Sequence, residues 1–174
     1  TPHDAKGLLK SAIRDPDPVI FIEAQLLYGT KGEVQEGEYT IPIGLAEVKR
    51  AGNDVTIVAY SKMLLLALEA AEALSREGIE AEVIDPRTLK PLDLQTIVAS
   101  VKKTGRLVIV EEGWHFCGLG AQVAESVYST AFDYLDAPIR RVSQKEVPLP
   151  YNQTLEPLAL PPVEAVMRAV EAVL

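Results

Sequence analysis

A regular alternation of strand and helix patterns, beginning near Asn53, constrains the fold more than any other feature of the sequence. Short runs rich in valine and isoleucine alternate with segments whose apolar residues recur at helical spacing. The predicted strands are Val55–Tyr60, Ala81–Asp85, Arg106–Val110 and Ile139–Val142. The predicted helices are Lys62–Glu77, Asp93–Lys103, Gly120–Tyr134 and Pro162–Leu174. This order predicts a three-layer α/β fold, with a mostly parallel sheet covered by helices on both faces.

The first 50 residues follow a different pattern. Asp4–Arg14 has apolar residues at helical spacing and predicts a helix that begins at once, which we interpret as a start in mid-protein. Val19–Glu23 predicts a buried strand, and Gln25–Pro42 has no clear period and predicts a long loop. Farther along, Ser61 is expected to cap the helix that follows it and Gly78 to end it.

Charge and hydropathy exclude some function classes. The chain has 25 acidic and 17 basic residues, a net charge of −8, which is the wrong sign for binding nucleic-acid phosphates and favours a basic partner. No apolar stretch approaches the roughly 18 residues of a membrane span, and no signal segment opens the chain, so we expect a protein without a membrane association. The single cysteine, Cys117, excludes an internal disulfide framework.

The loop after the third predicted strand contains several candidate reactive residues. Its glycines partly match a dinucleotide-binding fingerprint, which would make the chain a self-sufficient nucleotide-binding module. However, Val123 stands where the third glycine belongs. The alternative interpretation is that the glycines let a helix pack closely against a strand. His115 and Cys117 lie two residues apart, yet no further histidine or cysteine nearby completes a metal site. Glu111 and Glu112 are adjacent on a strand end and are expected to point to opposite sides.

The end of the first helix offers a possible cation site. Pro16 has no amide to donate to the carbonyl of Ala12, so the helix must end there, and Pro16 also pushes Asp15 out of helical geometry. Free carbonyl oxygens at the negative end of a helix, together with carboxylate oxygens, suit a hard cation. A plain turn is the alternative interpretation.

Five motifs spread along the chain together carry a family resemblance. They are Asp4–Asp15, Ile84–Asp93, Val110–Trp114, Tyr134–Pro138 and Val147–Tyr151. In these motifs the chain resembles the C-terminal portion of the beta subunit of the thiamine-diphosphate-dependent pyruvate dehydrogenase component of the 2-oxoacid dehydrogenase complexes. The related branched-chain subunits usually differ in the stretch where this chain keeps Glu111–Trp114 and Pro148–Tyr151, so the resemblance favours pyruvate over branched-chain substrates.

The resemblance implies a division of the chain and of the chemistry. Residues 1–48 would be the tail of a pyrimidine-binding domain, and residues 49–174 a transketolase-type C-terminal domain. The family's catalytic glutamate and histidine belong to a motif that neither His3 nor His115 occupies, so no catalytic or cofactor-binding residue is assigned here. The alpha subunit would hold thiamine diphosphate and its magnesium, and two alpha and two beta subunits would form a heterotetramer.

The same resemblance assigns two binding sites. Ala12, Ile13 and Asp15 would bind potassium, with Asp17 contributing through its backbone. Asp136 and the C-terminal carboxylate of Leu174 would contact the peripheral subunit-binding domain of the dihydrolipoyl acetyltransferase, and the acidic chain complements that basic domain. A solvated turn is the alternative for Asp136.

The resemblance also implies a place in the cell and leaves other functions open. The expected location is the bacterial cytoplasm, or alternatively the mitochondrial matrix. The alternative functions are a branched-chain 2-oxoacid dehydrogenase beta subunit, a transketolase-like synthase, and the self-sufficient nucleotide-binding module.

Overall fold

The computed structural model describes residues 1–174, which form a five-stranded sheet flanked by helices. The strands are β1 Glu47–Arg50, β2 Val55–Ala59, β3 Ala81–Asp85, β4 Leu107–Trp114 and β5 Arg140–Gln144. The helices are α1 Pro2–Arg14, α2 Lys62–Arg76, α3 Leu94–Thr104, α4 Leu119–Ala131, α5 Glu156–Ala159 and α6 Val163–Glu171. The strand order is β1-β3-β2-β4-β5, and only β1 runs antiparallel to its neighbour. The predicted three-layer, mostly parallel α/β fold is confirmed.

Two apolar cores lie on the two faces of the sheet. Helices α2 and α6 pack over one face, and α3 and α4 pack over the other. Every residue of β2 and β3 is buried, because helices cover both of their faces. No helix combines the length and the apolar content that crossing a bilayer requires.

The predicted strand Val19–Glu23 is wrong. This segment pairs with no other strand, and the side chains of Ile20 and Ile22 are 88% and 83% exposed. An apolar run marks a segment that can enter a sheet, but a strand forms only where another chain segment accepts and donates its hydrogen bonds. The predicted loop after it contains a short 3₁₀ helix, Gln25–Gly29.

Smaller differences concern element ends. Strand β1 and the short helix α5 were not predicted, and β4 extends four residues beyond the predicted end to Trp114. Ser61 stands at the N-cap position of α2, but its side chain makes no capping hydrogen bond and its φ is 55°. Gly78 follows α2 with a φ of 85°, which agrees with its expected role as the stop.

A buried ion cluster fixes α1 against the sheet. Asp4 is buried, and its carboxylate lies 2.6 Å from the Lys49 Nζ of β1 and 2.7 Å from a guanidinium nitrogen of Arg87. Burial raises the pKa of Asp4, but hydrogen bonds from Lys49 and Thr1 and the positive charges of Lys49 and Arg87 outweigh it and hold this pKa well below its usual range. The cluster therefore holds the start of α1 in one place relative to the sheet.

Candidate functional site

The predicted site residues lie in three separate places. Ala12, Ile13, Asp15 and Asp17 are at the carboxyl end of α1. Asp136 and Leu174 flank the turn that enters β4, at the edge where the parallel strands begin. His115, Cys117 and the two glutamates lie in or beside the loop that leaves β4, at the opposite edge.

The end of α1 has free acceptor groups, as predicted. The helix ends at Arg14 and Asp15 is extended, with φ −68° and ψ 134°. The amide of Asp17, which would continue the helix by donating to Ile13, donates instead to Asp15 Oδ1 at 3.0 Å. The carbonyls of Ala12 and Ile13 therefore lack their helical donors, since residue 16 is proline. These carbonyl and carboxylate oxygens are donors of the type that a hard cation prefers.

No cluster of three or more histidine, cysteine or acidic side chains suitable for a metal occurs in the chain. A cation at the end of α1 would consequently depend on backbone oxygens more than on side chains. These oxygen groups suit a hard cation better than a transition metal, because they include neither nitrogen nor sulfur.

Asp136 and the C-terminal residues meet at one turn. The Asp136 amide donates to the carbonyl of Gly105 at 2.8 Å, and Arg106 Nε donates to the carbonyl of Val173 at 2.8 Å. A Cβ at Gly105 would lie 2.2 Å from Asp136 Oδ2, and Gly105 has a φ of 70°. The exposed carboxylate of Asp136 is therefore held over this glycine, next to the residue that binds the end of the chain.

The glycine-rich loop after β4 encloses a buried ion pair. Glu111 is fully buried, and its carboxylate accepts hydrogen bonds from the Gly120 amide at 2.8 Å and from Arg141 of β5 at 2.7 Å. Arg141 also donates to the carbonyl of His115 at 2.8 Å. A Cβ at Gly118 or Gly120 would lie 2.7 or 2.5 Å from Glu111 Oε1. The glycines leave room for this carboxylate at the start of α4.

This arrangement disfavours a nucleotide-binding module. A phosphate at the start of α4 would need the free amides of the first turn, but the Gly120 amide is already bound to Glu111. The negative charge of Glu111 would also repel a phosphate. Glu112 lies in different surroundings, where it forms an ion pair of 2.6 Å with Lys62, so the two glutamates do not act as an acid–base pair.

Tyr60 borders the same buried pair. Burial raises the pKa of Tyr60 to about 12, and the negative charges of Glu111 and Glu112 add to the effect. Because the phenol stays neutral at ordinary pH, it can donate a hydrogen bond to Glu111.

The remaining candidate nucleophiles do not form a site. His115 Nδ1 lies 3.4 Å from the Ser143 hydroxyl, and Cys117 is exposed with a φ of 56°. His3 belongs to a distant part of the fold, where it stacks on Tyr39 with ring centroids 4.6 Å apart.

The sequence reasoning missed two groups of residues. These are the Glu111–Arg141 pair and the cluster around Asp4. For the Glu111–Arg141 pair the available signal was a charged residue that directly continues the apolar strand pattern Leu107–Val110, since burying a charge without a partner is unfavourable. No comparable local signal marks the cluster around Asp4, whose members lie on a helix, a polar strand and a loop.

A family model of the transketolase C-terminal domain matches residues 44–166. The chain belongs to the transketolase C-terminal domain family. The match includes all five strands, helices α2 to α5 and the start of α6, so it covers the whole sheet.

Curated relatives of this chain are beta subunits of the pyruvate dehydrogenase E1 component. The mitochondrial beta-1 subunit of rice is 53% identical over 96% of the chain. The beta subunit of Rickettsia felis is 55% identical over 98%, and that of Rhizobium meliloti is 51% identical over 99%. The predicted resemblance is confirmed. The chain spans about half the length of the curated relatives it matches, from 38% to 52% of these three.

A solved structure shows the same transketolase C-terminal domain fold. It is described as a split gene transketolase in an inactive beta4 tetramer. It aligns with a TM-score of 0.68 and 34% identity, over 82% of this chain and 45% of that one.

Proposed function

We propose that this chain is the C-terminal part of the beta subunit of an acetyl-transferring pyruvate dehydrogenase. The identity of 51–55% to curated beta subunits, over nearly the whole chain, carries this proposal. The intact enzyme would decarboxylate pyruvate and reductively acetylate the lipoyl group of the acyltransferase core. Residues 1–48 would be the tail of a pyrimidine-binding domain and residues 49–174 the C-terminal domain, a division supported by the start of the family match at residue 44.

In this proposal the chain supports assembly and holds no catalytic residue. Thiamine diphosphate with magnesium would supply the decarboxylation chemistry and would be held by the alpha subunit, in a heterotetramer that also contains a second beta subunit. The ionised groups at the carboxyl edge of the sheet are engaged with one another, as in the Glu111–Arg141 and Glu112–Lys62 pairs, which fits a supporting role. Curated relatives occur in bacteria and in mitochondria, which is consistent with a bacterial cytoplasm or a mitochondrial matrix.

Substrate turnover tests the proposed activity. The beta subunit that contains this sequence should be co-expressed with an alpha subunit and supplied with thiamine diphosphate and magnesium. We expect turnover of pyruvate to exceed that of branched-chain 2-oxoacids. A preference for branched-chain substrates would contradict the assignment and favour the alternative beta subunit, and turnover of sugar phosphates would favour a transketolase-like synthase.

The end of α1 is the proposed potassium site. Ala12 and Ile13 would contribute carbonyl oxygens, Asp15 its carboxylate, and Asp17 its backbone, because these acceptors lie where the helix has lost its own donors. Raising potassium at constant ionic strength should increase the melting temperature of the subunit. Asp15→Asn should weaken this response, while Asp17→Asn should retain it because only the backbone of Asp17 takes part. Equal responses of the two variants would contradict the ligand set.

Asp136 and the carboxylate of Leu174 form the proposed docking site for the peripheral subunit-binding domain of the dihydrolipoyl acetyltransferase. Both residues are exposed at the same turn, and the chain carries a net charge of −8. Asp136→Asn should weaken binding of that domain and reduce its dependence on salt, as measured by calorimetry at two ionic strengths. Asp133→Asn, a nearby exposed carboxylate, is the matched control and should bind normally.

A further inference from the structure

A groove with a volume of about 680 Å³ lies between α2 and the start of α6, on the side of these helices that faces away from the sheet. On α2 it is lined by Leu66, Glu69, Ala73 and Arg76, which recur at helical spacing and therefore share one face. Because an α-helix rises about 1.5 Å per residue, the stretch from Leu66 to Arg76 makes the groove about 15 Å long. The groove is therefore long enough for roughly three turns of a helix.

The floor of the groove is apolar. Leu66 of α2 and Val163 and Met167 of α6 line the groove, and all three are half-buried. They also pack against the apolar core between these two helices and the sheet. The core thus holds the floor in place, while the flexible thioether of Met167 can adapt to the shape of a bound side chain.

The two sides of the groove are acidic. Glu69 and Glu72 of α2 and Glu164 of α6 are exposed and line it. Arg76 is the one cation in the lining, and its charge is compensated because its guanidinium lies 2.8 Å from the carboxylate of Glu72. Arg168, the nearest cation along α6, does not line the groove. The carboxylates of Glu69 and Glu164, one on each side, are therefore left without an ion-pair partner.

We propose that this groove binds an amphipathic helix of a partner protein, with apolar residues on the floor and lysine or arginine residues along both sides. A helix that packs its apolar face into a groove between two other helices is a recurring mode of protein recognition. The uncompensated carboxylates on the two sides select a basic helix over an acidic one. Because the groove lies at the start of α6 and Leu174 follows its end, this surface is separate from the docking site proposed above.

Peptide binding to the intact alpha–beta assembly tests the inference. The probe is a synthetic amphipathic peptide of about 14 residues, with leucines at helical spacing on one face and lysines on either side of that face. A second peptide has the same composition in scrambled order, and a third has glutamate at every lysine position. We expect the first peptide to bind at least about ten-fold more tightly than the other two in fluorescence anisotropy, because only the first presents an apolar face flanked by positive charges.

Substitutions in the groove locate the binding. Glu69→Gln combined with Glu164→Gln should weaken binding roughly five-fold and reduce its dependence on salt, because two attractive charges are lost. Met167→Ser should weaken binding roughly ten-fold with an unchanged salt dependence, whereas Met167→Leu should retain most of the affinity. The matched control is Glu125→Gln combined with Glu171→Gln, which removes two exposed carboxylates outside the groove and should bind the peptide as the wild type does.

Three results would overturn the inference. The first is that the amphipathic peptide does not bind, or binds no more tightly than the scrambled one. The second is that the two paired glutamate variants weaken binding equally, since the net charge of the chain would then account for the binding. The third is a change in the size of the assembly in light scattering when Glu69 and Glu164 are replaced, because the groove would then be a contact between subunits. If Met167→Ser melts at a lower temperature than the wild type, the paired glutamate variants, which change only exposed side chains, still decide the question.

Discussion

Replacing Glu111 by glutamine tests the buried ion pair at the carboxyl edge of the sheet. Glu111 is fully buried and accepts hydrogen bonds from Arg141 and from the Gly120 amide. Glutamine has nearly the same shape and keeps one acceptor oxygen, but it leaves the guanidinium of Arg141 without a counter-charge. We therefore expect a large loss of stability with little change in packing.

The magnitude follows from the burial of the pair. Removing one partner of a buried ion pair costs about 3–5 kcal/mol, because the remaining charge is left uncompensated. Since glutamine can still accept a hydrogen bond, we expect a value near the lower end, about 3 kcal/mol. For a urea slope of about 2 kcal/mol per molar, this lowers the midpoint of unfolding by roughly 1.5 M.

The neighbouring residue supplies a matched control. Glu112→Gln makes the same chemical change one residue farther along β4, where the carboxylate is 37% exposed and pairs with Lys62. That change should cost about 0–1 kcal/mol, as exposed pairs do. Urea unfolding followed by circular dichroism compares the two variants directly.

A double variant completes the test. Replacing Arg141 by methionine in addition to Glu111→Gln removes both charges, and this should recover part of the lost stability. The reasoning is refuted if Glu111→Gln and Glu112→Gln lower the midpoint equally, or if the double variant is less stable than Glu111→Gln alone.

Three further predictions concern local packing and titration. Gly120→Ala should destabilise the chain by about 1–3 kcal/mol, because the added Cβ would lie 2.5 Å from a buried carboxylate oxygen. Gly113→Ala is the control: its Cβ would have no atom within 4 Å, so its stability should stay within about 0.5 kcal/mol of the wild type in the same urea assay. Burial and the carboxylates at the end of β4 raise the pKa of Tyr60 to about 12. The contribution of Tyr60 to stability is therefore complete below about pH 10 and is lost as the pH rises through about 12. Tyr60→Phe should remove the late step of an ultraviolet tyrosine titration. Asp4→Asn should cost about 3 kcal/mol and speed amide exchange in α1, and because the pKa of Asp4 is lowered, the difference from wild type should shrink as the pH falls below about 4.

The central part of the fold was predictable because its periodicity is strong. The predicted helix Lys62–Glu77 agrees with α2 to one residue, and the predicted strand Ala81–Asp85 is β3. Both segments pack against the apolar core, so the apolar pattern in the sequence directly reflects burial.

Other elements could not be predicted from local pattern. Strand β1 is four residues long, polar and at the sheet edge, and its pairing with β3 depends on a contact between residues far apart in the chain. Val19–Glu23 shows the opposite failure, since its apolar residues suit a strand but no partner strand is present in these 174 residues.

The site residues also divide into those that the local sequence predicts and those that depend on contacts between distant parts of the chain. The free carbonyls at the end of α1 were predictable, because Pro16 removes a helical donor wherever the helix lies. The pair of Glu111 and Arg141 was not, since the two residues are 30 apart in sequence and meet only because β4 and β5 are neighbours in the sheet.

We have proposed that this chain supports a pyruvate dehydrogenase without performing its chemistry. The most direct measurement is the kcat for pyruvate decarboxylation, with an artificial electron acceptor, of the alpha–beta assembly carrying His3→Gln, His115→Gln and Cys117→Ser together. Because we assign no catalytic residue to this chain, we predict that kcat stays within about two-fold of the wild type. Removing a general acid or base would instead lower the rate by roughly 10²–10⁴-fold. A loss of more than about 100-fold in an assembly of normal size would place a catalytic residue on this chain and contradict the account.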